Sequence, residues 1–98
     1  MRKRIVAVFS GNRAEYGLIF PILEAIKSHP KLDYKLIISG AHLDKSFGNT
    51  KNEIRNDGIK IHGEVKIKKY SNTKQFTANS IGDCINKLSP ILKKISPD

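Results

Sequence analysis

The sequence predicts an α/β fold: part of a Rossmann-like, doubly wound parallel sheet with helices on both faces. Three observations predict it. Short β-branched apolar runs alternate with longer segments of helical period, in the order β-α-β-α-β-α. The first of these runs, Ile5–Phe9, is continuously apolar, as in strands buried on both faces. Glycine and proline punctuate the joints.

Ile5–Phe9 is the first such run, closed by Ser10-Gly11-Asn12. Leu18, Ile19, Ile22, Leu23 and Ile26 recur at spacings of one, three and four, one stripe of a helix from about Glu15 to Ser28. Pro21 fits that helix only in its opening turns, because it lacks an N–H and crowds the preceding turn. Pro30 stops it. Tyr34–Ser39 is the second strand, ended by Gly40.

Thr50 and Glu53 have capping-box spacing and open a short helix that Gly58 terminates. Ile59, Ile61, Val65 and Ile67 predict a third strand, broken by Gly63. Phe76, Ile81, Ile85, Leu88, Ile91, Leu92 and Ile95 give a long amphipathic helix. Pro90 is expected to kink or restart it, with Ser89 as a cap.

Composition narrows the function classes. The chain has 98 residues, enough for one small domain at most. An apolar share of 39% excludes a disordered chain, and Cys84, the only cysteine, excludes an internal disulfide. Five apolar residues after Arg2-Lys3-Arg4 are too few for a signal-peptide core, and no run reaches membrane-spanning length. A cytoplasmic chain is expected.

In a doubly wound sheet of order 3-2-1-4 the first strand is internal. Residues 1–98 are therefore expected to be an incomplete N-terminal domain cut before its fourth strand, since Ile5–Phe9 would otherwise be an open apolar edge.

Ligands of open α/β sheets bind beyond the carboxyl ends of the strands. Ser10–Tyr16, Gly40–Asn49 and Lys68–Thr77 are expected there. Gly11 allows close approach of backbone, and Arg13 stands at the mouth of the first helix, whose free amides favour anions. The planar guanidinium suits phosphate oxygens, so a diphosphate or nucleotide-sugar site is the functional reading. The alternative is that Arg13 and Glu15 merely pair at a helix start. The segment is neither Gly-x-Gly-x-x-Gly nor a Walker loop, so NAD and ATP have no motif behind them.

Ser10-Gly11-Asn12-Arg13-Ala14-Glu15-Tyr16-Gly17-Leu18 resembles the opening loop of the hydrolysing UDP-N-acetylglucosamine 2-epimerases. Ser39-Gly40-Ala41-His42-Leu43 with Phe47-Gly48-Asn49-Thr50 is similar to that family's second loop. Ser80-Ile81-Gly82 and the stretch from Leu92 to Pro97-Asp98 resemble its third helix and the approach to strand 4. Non-hydrolysing relatives carry Gly-Thr-Arg-Pro-Glu with a later lysine; Ala14 and Leu18 stand at those two positions here. The departures favour the hydrolysing, sialic-acid-pathway branch.

The resemblance implies a GT-B-type enzyme with a UDP-sugar held between two Rossmann-like domains. It implies elimination of UDP to a 2-acetamidoglucal, then hydration to N-acetylmannosamine, with no metal or other cofactor. Arg13 matches the diphosphate-binding arginine, and Gly17 stands where some members have a UDP-contacting serine. His42 matches a recurrent loop histidine, with substrate contact or loop bracing as its two readings. The family's catalytic carboxylates lie beyond residue 98, so none is expected in this chain. Homodimers or tetramers are implied for the full-length enzyme. The exact sugar is left open, because relatives acting on 4-amino-4,6-dideoxy sugars share these loops.

His29 and His62 read as structural or solvated, Glu15 as a helix-dipole partner and Asp44 as loop-solvating. No His/Cys/Asp/Glu cluster has metal-ligand spacing. The formal charge of +9, with Lys60, Lys66, Lys68, Lys69 and Lys74 close in sequence, raises a rival reading as a small basic nucleic-acid-binding module. The lysines are spread over a strand, a loop and a helix with only Tyr70 nearby, which favours a solvated face. A GT-B glycosyltransferase fragment shares the fold, but the Asn-Arg-Ala-Glu-Tyr-Gly and Ala-His-Leu loops discriminate against it.

Overall fold

A computed structural model describes residues 3–11, 13–39, 50–66 and 74–98. The elements are β1 (Arg4–Ser10), α1 (Arg13–Ser28), β2 (Leu32–Ser39), α2 (Thr50–Asn56), β3 (Ile61–Val65) and α3 (Lys74–Ile95). The three strands form one parallel sheet in the order β1-β2-β3. β1 and β2 pair from Arg4↔Leu32 to Ser10↔Ile38 without interruption.

Both faces of the sheet are covered at β2, where Leu36, Ile37 and Ile38 are consecutive and all buried, whereas the edge strand β1, expected to be buried on both faces, is only half-buried. Its even-numbered residues Tyr34, Leu36 and Ile38 join Tyr16, Leu23 and Ile26 of α1 and Ile54 and Ile59 around α2 in one buried cluster. Val6 and Val8 of β1 pack against the same cluster. Ile37 faces the other way and is equally buried. There α3 covers the sheet: a Cβ on Gly63 would lie 2.8 Å from Ile91 Cγ2 and 3.5 Å from Ile37 Cγ1.

That contact corrects one expectation. Gly63 does not break the third strand; it sits inside β3 because α3 passes too close for any side chain. The irregularity lies one residue earlier. Leu36 pairs with Ile61 and Ile37 with Gly63, so His62 is the extra residue of a bulge. Its imidazole Nδ1 accepts the Leu36 N–H at 3.2 Å, replacing the partner the bulge removes. Ile59 belongs to the end of α2 rather than to β3, and Ile67 lies outside the described residues.

The prolines also depart from expectation. Pro21 lies mid-helix rather than in the opening turns of α1, and α3 continues through Pro90 without a restart at Ser89. Pro21 and Pro90, and the residues one turn earlier, Gly17 and Asn86, are all exposed. Water can satisfy the carbonyls that lose their donor, so the helices tolerate the rings.

β1 is an edge strand, with Phe9 39% exposed near its open side. At its start the edge is covered. The Asp98 N–H donates to the Ile5 carbonyl at 2.9 Å, and the Ile5 N–H donates to Asp98 Oδ2 at 2.8 Å. Asp98, three residues past α3, thus lies beside β1 on the side opposite β2.

Candidate functional site

The carboxyl ends of the strands are marked by burial of polar groups. Among the described residues the buried polar side chains are Ser10, Ser39 and Thr50. They stand at the end of β1, the end of β2 and the start of α2, all on one side of the sheet. A hydroxyl is costly to bury in an apolar core; three on one side make that side a polar floor.

The β1–α1 corner is built over this floor. Ser10 ends the ladder opposite Ile38, Gly11 follows, and α1 begins at Arg13. The Gly11 N–H donates to Glu15 Oε2 at 3.0 Å. With Arg13 as the first helical residue, Glu15 is the third. This is close to capping-box geometry, with the carboxylate reaching back to a free amide. Sequence reasoning assigned Glu15 to the helix dipole or to pairing with Arg13. The spacing from Asn12 to Glu15, Asn then Glu three residues on, was the available signal.

Tyr16 then fixes the helix. Its ring is buried and packs at 5.8 Å, tilted, on Phe20, while its hydroxyl donates to Asp57 Oδ2 at 2.8 Å. Burial, then the Asp57 carboxylate, raises the Tyr16 pKa far above its ordinary value, so the phenol stays a donor. The first turn of α1 is thereby tied to the end of α2.

Of the site residues expected from sequence, Arg13 opens α1 at the carboxyl side of the sheet; its side chain is outside the described residues. Gly17 is exposed one turn on, and a Cβ there would meet nothing within 4 Å. Its N–H is past the free amides of the first turn, whereas its carbonyl loses its i+4 donor because that residue is Pro21. At Gly17 the backbone group open to a partner is therefore the carbonyl. His42 lies outside the described residues. No group of three or more metal-ligating side chains occurs among the described residues.

A surface groove of about 460 Å³ lined by Arg55, Gly58, Ile59, Lys60, Ile61 and His62 opens at the amino end of β3. It lies at the end of the sheet opposite Ser10 and Ser39. His62 belongs to this end, and burial, then the charge of Lys35, lowers its pKa. It is a structural histidine and no part of the β1–α1 corner.

Parallel strands, helices on both faces and a polar floor under a glycine–helix corner define a Rossmann-type α/β unit. No protein-family profile matches the chain. It is 30% identical over 98 residues to a protein named UDP-N,N'-diacetylbacillosamine 2-epimerase (hydrolyzing) from Legionella pneumophila, covering 100% of this chain and 26% of that one. It is 32% identical over 98 residues to UDP-N-acetylglucosamine 2-epimerase of Neisseria meningitidis, covering 98% of this chain and 24% of the other. A crystal structure of UDP-GlcNAc 2-epimerase from Neisseria meningitidis bound to UDP-GlcNAc superposes with a TM-score of 0.69. That match has 21% identity and covers 97% of this chain and 24% of that one.

Over essentially its whole length the chain is thus similar to part of the hydrolysing UDP-sugar 2-epimerases, and it has the fold of part of their GT-B architecture. It spans about a quarter of the length of the relatives it matches.

Proposed function

We propose that this chain supplies the diphosphate-binding corner of a hydrolysing UDP-sugar 2-epimerase, with UDP-N-acetylglucosamine or a 4-amino-dideoxy relative as substrate. One observation carries the reading. The segment Ser10–Leu18 that resembles the family's opening loop is the segment the fold sets at the carboxyl end of β1 and the start of α1. Anions are favoured there by free amides and by the helix dipole.

In this reading Arg13 grips the diphosphate and stabilises UDP as it departs. Gly17 offers backbone to the nucleotide, and His42 contacts substrate or braces its loop. The reaction is elimination of UDP followed by hydration, giving N-acetylmannosamine or its analogue. Acid and base groups around C2 and C3 are needed for it, and they come from sequence beyond residue 98, in a domain that residues 1–98 only begin. The reading includes the sialic-acid type of pathway, a cytoplasmic setting and a homo-oligomer for the complete enzyme. Among the described residues no helix is long and apolar enough to cross a membrane.

The test is UDP titration of the ¹⁵N-labelled 98-residue chain, read by amide shifts. Saturable shifts at residues 10–17 are expected, and their loss in Arg13→Ala. Equal UDP affinity in wild type and Arg13→Ala by calorimetry would sink the assignment of Arg13.

A further inference from the structure

We infer that Glu15 is a positioning residue of this corner: by holding the Gly11 amide it sets the backbone on which the diphosphate is received. The inference rests on the diphosphate reading above and adds a residue to it.

The geometry is direct. Gly11 is the first residue past the β1 ladder, and Glu15 Oε2 accepts its N–H at 3.0 Å. A Cβ on Gly11 would stand 3.7 Å from both Glu15 oxygens, so the whole carboxylate lies over that glycine. Glu15 is itself held to α1 one residue before Tyr16, whose hydroxyl is bonded to Asp57. The corner is therefore braced in series, from Gly11 to Glu15 along α1 and from Tyr16 to α2.

This arrangement has a chemical consequence for recognition. The Gly11 amide is already engaged and is not a phosphate donor in this conformation. Anion binding is left to Arg13 and to the amides of the first turn of α1. The Glu15 carboxylate opposes a phosphate by charge while supporting it by geometry. The two effects separate in mutants, because Gln keeps an acceptor and loses the charge, whereas Ala loses both.

The experiment uses the 98-residue chain with inorganic pyrophosphate as the probe, comparing wild type, Glu15→Gln and Glu15→Ala. Readouts are Gly11 amide hydrogen exchange and pyrophosphate affinity from shifts at residues 10–16. Glu15→Gln is expected to keep Gly11 protected and to bind at least as tightly as wild type. Glu15→Ala is expected to exchange faster at Gly11 and to bind roughly 3- to 10-fold more weakly, the equivalent of one net hydrogen bond of about 1 kcal/mol.

Affinity in Glu15→Ala rising as much as in Glu15→Gln would overturn the positioning role and leave Glu15 as a repelling charge. Unchanged Gly11 exchange in Glu15→Ala would also overturn it, with the diphosphate reading untouched. No saturable shift at residues 10–16 in any of the three proteins would overturn the diphosphate reading and Glu15's part in it together.

Discussion

Protonation of His62 and pairing of the Leu36 N–H compete for the same imidazole lone pair. Nδ1 accepts that N–H, the ring meets Tyr34 edge-on at 5.7 Å, and burial with Lys35 and Lys60 nearby lowers the His62 pKa from its ordinary 6.5. Asp33 opposes the shift without cancelling it. The unfolded chain therefore binds the proton more readily than the folded one. The contribution of His62 to stability is fully present above about pH 6.5 and is lost as pH falls toward its lowered folded value. Urea unfolding at about pH 5 and about pH 7.5 should show a larger loss on acidification for wild type than for His62→Gln. His62→Ala should cost about 1 kcal/mol at neutral pH by leaving the Leu36 amide without its acceptor. Gly63 is a second single-residue determinant. Gly63→Ala forces a methyl to 2.8 Å from Ile91 Cγ2 and should cost about 1–3 kcal/mol. The double variant with Ile91→Ala should cost less than the sum of the two single changes, measured by denaturant unfolding.

At the scale of elements, the end of α2 shows how local chemistry writes a boundary. Gly58 has φ 80°, its N–H donates to the Arg55 carbonyl at 3.0 Å, and the Ile59 N–H donates to the Ile54 carbonyl at 3.3 Å. These are the paired bonds of a Schellman cap, with Ile54 and Ile59 buried together as its apolar contact. Gly58→Ala has steric room, since the nearest atom to its Cβ is Lys27 Nζ at 3.8 Å. Its cost is one of backbone conformation, about 1 kcal/mol, and thermal melting should record it. This boundary was legible in sequence because one glycine determines it, and β1, α1 and β2 were legible from their apolar runs and periodicity, although β1 is only half-buried and Leu18 and Ile22 of the expected α1 stripe are exposed. Three features were not. The bulge at His62 depends on register between strands, and the need for Gly63 depends on a helix that follows it in sequence. The continuity of α1 through Pro21 and α3 through Pro90 depends on which face meets water. Arg13 was proposed from residue type and its place at a helix start and Gly17 from resemblance, whereas Glu15 was assigned by charge alone. Its acceptor role depends on how the corner folds back.

For the molecule as a whole, the described residues contain a braced corner, which the proposed reading assigns to an anion, while the resemblance places the family's catalytic carboxylates outside residues 1–98. Incubation of the 98-residue chain with UDP-N-acetylglucosamine should therefore release no N-acetylmannosamine; measurable turnover would show that the essential acids are present here after all. Two apolar pairs point outward, Leu18 with Ile22 on α1 and Ile81 with Ile85 on α3, all more than half exposed.

The bond between Asp98 and Ile5 also sets an order of events. It joins residues 93 apart. Long-range contacts of this kind form late, after the loops they close. During synthesis at roughly 5–20 residues per second, β1 leaves the ribosome several seconds before residue 98 is made. For that interval β2 can pair with one side of β1 while the other side waits. β1, made before β2 and β3, thus has its outer edge engaged only after both have been synthesised.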